Sequence, residues 1–223
     1  MKRILCYGDS NTFGANPAWR PDMGLSEKNL KRLPEDGRWT KLLQLFLGTE
    51  EYEVLEEGLC GRTTVYTDHA WPYCNGRDYI VPCILSKLPL DLIIIMLGTN
   101  DMKAIFSPSV DSAQLAISEL IKTVKNEYLY EGFPIPKILI VSPIAIGDNL
   151  EKSFMYGTFD QNSRSVSRCL PEIQKKAAQM YGCEFFNAAS VATASKIDSV
   201  HMDLENHRKL AEAICKKVKE ILS

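Results

Sequence analysis

Residues 92–97 read Leu-Ile-Ile-Ile-Met-Leu, six apolar side chains in a row, and Gly98-Thr99-Asn100-Asp101 follows at once. A strand turns successive side chains to opposite faces. A run with no polar position therefore needs cover on both faces. Central parallel strands meet that need, because the helices connecting them pack on either side of the sheet. The run is also far short of the ~20 residues that span a bilayer.

Four further short apolar stretches, 2–7, 52–55, 137–141 and 184–186, read as strands. Helical spacing falls between them. Trp39, Leu42, Leu43 and Phe46 make one stripe, which Gly48 stops. A second helix fits 78–88, with Pro82 near its first turn. A third fits 112–130, with Leu115, Ile117, Leu120, Ile121 and Val124 as its apolar side, and a fourth fits 163–181. Asp203 is placed to cap the last helix, where Leu204, Leu210, Ala211, Ile214, Val218 and Ile221 form the apolar face. The alternation predicts an α/β fold, a three-layer α/β/α sandwich around a five-stranded parallel sheet. No repeat or shift in composition divides the chain, so one domain is expected over 1–223. Residues 15–37 and 58–77 read as long loops, the second with aromatic residues across 66–79.

At 45% hydrophobic and 24% charged residues, the 223-residue chain lacks the apolar depletion of disorder. Its net charge of −2 excludes a strongly basic nucleic-acid binder. The seven cysteines come no closer than nine residues apart, so zinc and redox C-x-x-C spacings are missing. The first apolar stretch is shorter than the ~7–15 residues of a signal peptide, and no N-x-[ST] sequon occurs. These features imply a cytoplasmic protein with reduced cysteines, no metal, no cofactor, and neither nucleic acid nor membrane as partner.

In doubly covered parallel sheets, reactive groups lie beyond the carboxyl ends of the strands. Gly8-Asp9-Ser10-Asn11 follows the first strand and puts a serine hydroxyl at an exposed tip. Gly58-Leu59-Cys60-Gly61 follows the second, where a glycine offers an unobstructed N–H. Gly98-Thr99-Asn100-Asp101 follows the third and supplies an amide donor. Asp198-Ser199-Val200-His201 precedes the last helix. Each block alone is also what a turn or helix cap looks like. The first is neither a G-x-S-x-G elbow nor a dinucleotide or phosphate loop. Together the blocks supply a nucleophile (Ser10), two oxyanion donors (Gly61, Asn100), a base (His201) and its orienting acid (Asp198). His207, inside the last helix, reads as a surface or packing residue.

These four ordered blocks resemble those of the SGNH (GDSL-type) hydrolase superfamily, over nearly the whole chain. The stretches 56–64 and 88–101 are similar to its intracellular arylesterase/acyltransferase-like branch. Asn11 stands where the family name has leucine. The resemblance implies a flavodoxin-like sandwich, no metal, and hydrolysis of small carboxylic esters, with acyl transfer to alcohols or peroxide in some members. It implies an oxyanion hole made by the N–H groups of Ser10 and Gly61 and the side chain of Asn100. Phe13, Trp71 and Tyr73 are candidates for the acyl or alcohol side. It also implies a homo-oligomer in contact through loops 15–37 and 66–79, which carry Trp19, Pro21, Met23, Leu25, Trp71, Pro72 and Tyr73. Two competing readings are a carbohydrate O-acetylesterase and a non-catalytic small-molecule or carbohydrate-binding module on the same fold.

Overall fold

The computed structural model describes residues 1–24, 26 and 29–223. Five strands, β1 (Lys2–Gly8), β2 (Tyr52–Gly58), β3 (Leu92–Met96), β4 (Lys137–Ser142) and β5 (Glu184–Asn187), form one sheet in the order β2-β1-β3-β4-β5. Every pairing is parallel. Gly8 pairs with both Gly58 and Met96. The ends of β1, β2 and β3 therefore lie side by side, and the loops that leave them meet at one edge.

Alternation along the strands divides the core. Leu5, Tyr7, Ile93, Ile95, Ile138 and Ile140 face one way, against α3 (Gly76–Leu85), α4 (Val110–Val124), α5 (Gln161–Ser167) and α6 (Leu170–Met180). Ile4, Cys6, Leu92, Ile94, Met96, Leu139 and Val141 face the other way, against α2 (Trp39–Leu47) and α7 (Leu204–Leu222). This is the expected three-layer α/β/α sandwich. A single helical turn, α1 (Ser10–Phe13), follows β1. Among the described residues no helix is long and apolar enough to cross a membrane.

Several local expectations are corrected. The helix expected over 163–181 is two helices. Pro171 has no N–H for the Ser167 carbonyl and its ring crowds it, so the chain breaks at Arg168 and Cys169 and restarts. Asn75 caps α3 by accepting from the N–H groups of Arg77 and Asp78, so the helix starts at Gly76 and ends the second loop early. Pro82 consequently lies in the helix interior. α4 stops at Val124, and residues Glu127–Tyr130 form a separate 3-10 turn. Leu115 is exposed, because it lies about 200° around the helix from Ala113 on the buried stripe. Leu204, in the first turn of α7, is also exposed. Within 15–37 the chain makes 3-10 turns at Pro21–Met23 and Glu35–Gly37, and an antiparallel bridge joins Ala15 to Arg32. Leu25 lies outside the described residues.

Candidate active site

The turn after β1 is dictated by crowding. A Cβ on Gly8 would come within 2.1 Å of Thr12 Oγ1 and 2.8 Å of the Met96 carbonyl oxygen. Asp9 then caps α1, its Oδ1 accepting the Asn11 N–H at 2.9 Å. Gly14, at φ 82°, ends the helix after one turn. Ser10 takes the first helical position, where an N–H has no carbonyl behind it in the helix. The expectation of an exposed serine tip is corrected: Ser10 is buried, with its hydroxyl directed at a histidine.

That histidine is His201. Its Nε2 lies 2.9 Å from Ser10 Oγ, and its Nδ1 lies 2.5 Å from Asp198 Oδ2. Asp198 is fully buried, and its Oδ1 accepts the N–H groups of Val200 (3.0 Å) and His201 (2.9 Å). Ser199 adopts the left-handed φ of 63°, which folds the carboxylate back onto a ring three residues later. The Ser199 carbonyl accepts from the Gly147 N–H, and the Asp198 carbonyl from the Ser153 hydroxyl. With Nδ1–H donating to Asp198, Nε2 is left as the acceptor for the Ser10 proton.

Asn11 joins these two segments in a way that sequence reasoning missed. Its Oδ1 accepts the Met202 N–H at 2.9 Å, and its Nδ2 donates to the Val200 carbonyl at 3.2 Å. The side chain thus grips the backbone on both sides of His201. The only local signal is the amide directly after the serine, at the position where the family name has leucine.

The second and third blocks are brought together. Arg62 is buried, its guanidinium 4.2 Å from the Tyr7 ring, and it donates to the carbonyls of Gly8 (2.9 Å) and Glu57. Gly61 precedes it at φ 84°, a conformation that favours glycine. Asn100 opens a 3-10 turn, Asn100–Met102, and its Nδ2 donates to the Arg62 carbonyl at 3.2 Å. Asp101 fastens the same turn, accepting from the Thr64 N–H (2.8 Å) and the Thr64 hydroxyl (2.6 Å). Burial pushes the carboxyl of Asp101 up to about 7 and that of Asp9 up to about 6.

Of the three aromatic candidates, Phe13 ends α1 three residues after Ser10, and Trp71 and Tyr73 stand on the loop that follows Thr64. Phe13 is half-buried under the Arg32 guanidinium, 4.4 Å from its ring, and its carbonyl accepts from Arg32 Nε at 2.7 Å. Trp71 and Tyr73 are exposed and form an edge-to-face pair, with centroids 6.0 Å apart. Their loop leaves the sheet edge after Thr64 and returns at Cys74. The sulfur of Cys74 lies 3.4 Å from where a Gly61 Cβ would stand. His207 is a packing residue: it is buried, and its Nδ1 accepts the Trp39 N–H at 3.3 Å. Among the described residues no group of three or more His, Cys, Asp or Glu is placed to hold a metal ion.

A serine hydroxyl, an imidazole and a buried carboxylate in line are a proton path that makes an oxygen nucleophile. Comparison with known proteins finds esterases of the same fold. The chain is 34% identical to the aryl esterase of M. smegmatis in its inhibitor-bound form, covering 99% of this chain and 100% of that one, with a TM-score of 0.88. It is 32% identical to a carbohydrate acetylesterase from Sinorhizobium meliloti, with the same coverage and a TM-score of 0.87. Comparison with curated proteins finds no match. The profile of the GDSL-like lipase/acylhydrolase family matches residues 6–208. The chain thus belongs to the GDSL-like lipase/acylhydrolase family and is a carboxylic ester hydrolase.

Proposed function

We propose that the protein hydrolyses small carboxylic esters, short-acyl or aryl, through an acyl-enzyme on Ser10. The observation that carries this reading is the unbroken line from Ser10 Oγ to His201 Nε2 (2.9 Å) and from His201 Nδ1 to Asp198 (2.5 Å). Ser10 Oγ attacks the acyl carbon while its proton passes to His201 Nε2. Asp198 holds the ring and stabilises the imidazolium. The N–H groups of Ser10 and Gly61 and the Asn100 amide receive the oxyanion. The proton then goes to the leaving alcohol, and water, activated by His201, releases the acid. Alcohols or peroxide compete with water for the acyl group. Phe13 and the Trp71–Tyr73 pair bound the acyl or alcohol side.

A second reading, a carbohydrate O-acetylesterase, is favoured by the exposed Trp71–Tyr73 pair, which offers faces to a sugar, and by the likeness to the Sinorhizobium enzyme. A non-catalytic binding module has no use for a buried acid aligned on a base. The seven unpaired cysteines support a reducing, cytoplasmic setting. The exposed apolar side chains of Met23, Trp71 and Tyr73 support a homo-oligomer built through those loops. A panel of p-nitrophenyl esters and acetylated sugars, run with and without a serine-reactive phosphonate, tests the assignment. Phosphonate-sensitive turnover of the aryl esters is expected, preferential turnover of the sugars selects the second reading, and no turnover overturns both.

A further inference from the structure

A buried ion pair joins the aromatic loop to the Asn100 turn. Lys103 Nζ lies 2.7 Å from Asp68 Oδ2, and both residues are more than nine-tenths buried. Lysine and aspartate are almost never so buried unless paired, since withdrawing two charges from water is costly. Lys103 closes the turn, its N–H donating to the Asn100 carbonyl at 3.3 Å. Asp68 organises the facing loop: its Oδ1 accepts the Ala70 N–H at 3.0 Å, and its carbonyl accepts the Trp71 N–H at 2.9 Å. The ends of the loop are held separately. The Thr63 hydroxyl donates to the carbonyls of Tyr66 and Cys74, and the Asn75 amide donates to Val65 and Thr67. From Asp68 to Tyr73, among the described residues, the Lys103 pair is the one hydrogen bond or ion pair that reaches beyond the loop. The Asn100 turn, by contrast, has further ties through Asp101 to Thr64 and through Asn100 to Arg62.

We propose that the Asp68–Lys103 pair is a specificity device, fixing Trp71 and Tyr73 as a rigid wall for bulky leaving groups. This rests on the reading that the two rings bound the ester cleft. Asp68 and Lys103 act as positioning residues and do not touch the ester. An untied loop samples many conformations, and apparent affinity falls with the fraction that is competent. Esters too small to reach the wall do not register the loss.

The test compares 2-naphthyl acetate with ethyl acetate, which share one acetyl-enzyme and differ only in leaving group. The variant Asp68→Asn/Lys103→Gln removes both charges and leaves none unpaired. It is expected to raise KM for naphthyl acetate by roughly tenfold. Its kcat, and both constants for ethyl acetate, should stay within about threefold of the parent. The reversed pair, Asp68→Lys/Lys103→Asp, is expected to restore much of the discrimination. An equal loss of kcat on both esters, or no change in the ratio of kcat/KM, overturns the proposal. If the double variant does not fold, Asp68→Asn alone, which keeps the acceptor for the Ala70 N–H and breaks the ion pair, carries the same test: a selective rise in KM supports the proposal, and an unchanged ratio overturns it. Trp71→Ala and Tyr73→Ala separate the two levels. If neither alters KM for naphthyl acetate, the cleft reading itself fails. If they do and the ion-pair variants do not, only the role of the pair is lost.

Discussion

Ser10 and His201 stand at opposite ends of the chain, and the proposed chemistry makes them one unit. Ser10→Ala and His201→Ala are each expected to remove nearly all esterase activity, with the double variant little worse than either. Additive losses in kcat would contradict a shared step. Asn100→Ala, which deletes one oxyanion donor, is expected to lower kcat by roughly 10²–10³, about 2.7–4 kcal/mol. Asn11 acts one step removed. Asn11→Leu strands the Met202 N–H and the Val200 carbonyl and frees the His201 segment from the serine turn. A loss of about 1–3 kcal/mol in stability is expected, with a fall in kcat of roughly tenfold or more and KM little changed. Urea titration and steady-state kinetics read the two effects separately. Ser10, His201, Asp198 and Asn100 were legible in the sequence because each follows a strand or precedes the last helix in a short polar block. The Asn11 clamp was not. A side chain that bonds to backbone 189 and 191 residues away leaves no periodicity and no spacing.

At the scale of elements, α1 follows the end of β1 and packs against the neighbouring end of β2. A Cβ on Gly58 would stand 2.0 Å from the Phe13 nitrogen and 2.5 Å from its Cα, so backbone must move. Gly58→Ala is therefore expected to shift α1, costing about 1–3 kcal/mol of stability and a large part of kcat, readable by thermal unfolding and ester turnover. Packing of α2 on α7 carries a pH signature. Burial, with His201 nearby adding to it, pushes His207 down to about 3, against an unfolded value of ~6.5. Between those values the unfolded chain binds the extra proton, so this contribution is complete above ~6.5 and is lost as pH falls toward 3. The raised carboxyls of Asp9 and Asp101 work in the opposite sense, costing stability as pH rises toward about 6 and about 7. The difference between parent and His207→Gln isolates the histidine. The drop in urea midpoint from pH 7.5 to pH 5 should be smaller in the variant, with kcat within a few-fold; an equal drop would contradict the assignment. Strands were the readable elements, because runs such as Leu92–Met96 are apolar at every position. The break between α5 and α6 was missed, because Arg168 and Cys169 do not interrupt the helical pattern and Pro171 also suits a helix start.

For the whole molecule, the sheet order places the ends of β1, β2 and β3 together and leaves two long excursions around them. The resemblance to the arylesterase/acyltransferase-like branch implies a homo-oligomer that narrows the entrance and favours short acyl chains, and the exposed Met23, Trp71 and Tyr73 offer apolar surface for its contacts. Light scattering at micromolar concentration is expected to show more than one chain, and kcat/KM should fall from acetyl or butyryl to long-chain esters. A strict monomer contradicts the first expectation, and a preference for long chains the second. What the loops do is the least legible part, since Asp68 and Lys103 lie 35 residues apart and no spacing in the sequence pairs them. The proposed chemistry needs one reactive serine in a chain that has many. The parent protein and Ser10→Ala, each treated with a p-nitrophenyl phosphonate, digested and examined by mass spectrometry, test it directly. One adduct per chain is expected, on the peptide holding Ser10, with activity lost in proportion, and none in the variant. Labelling elsewhere, or full activity in the labelled enzyme, would contradict it.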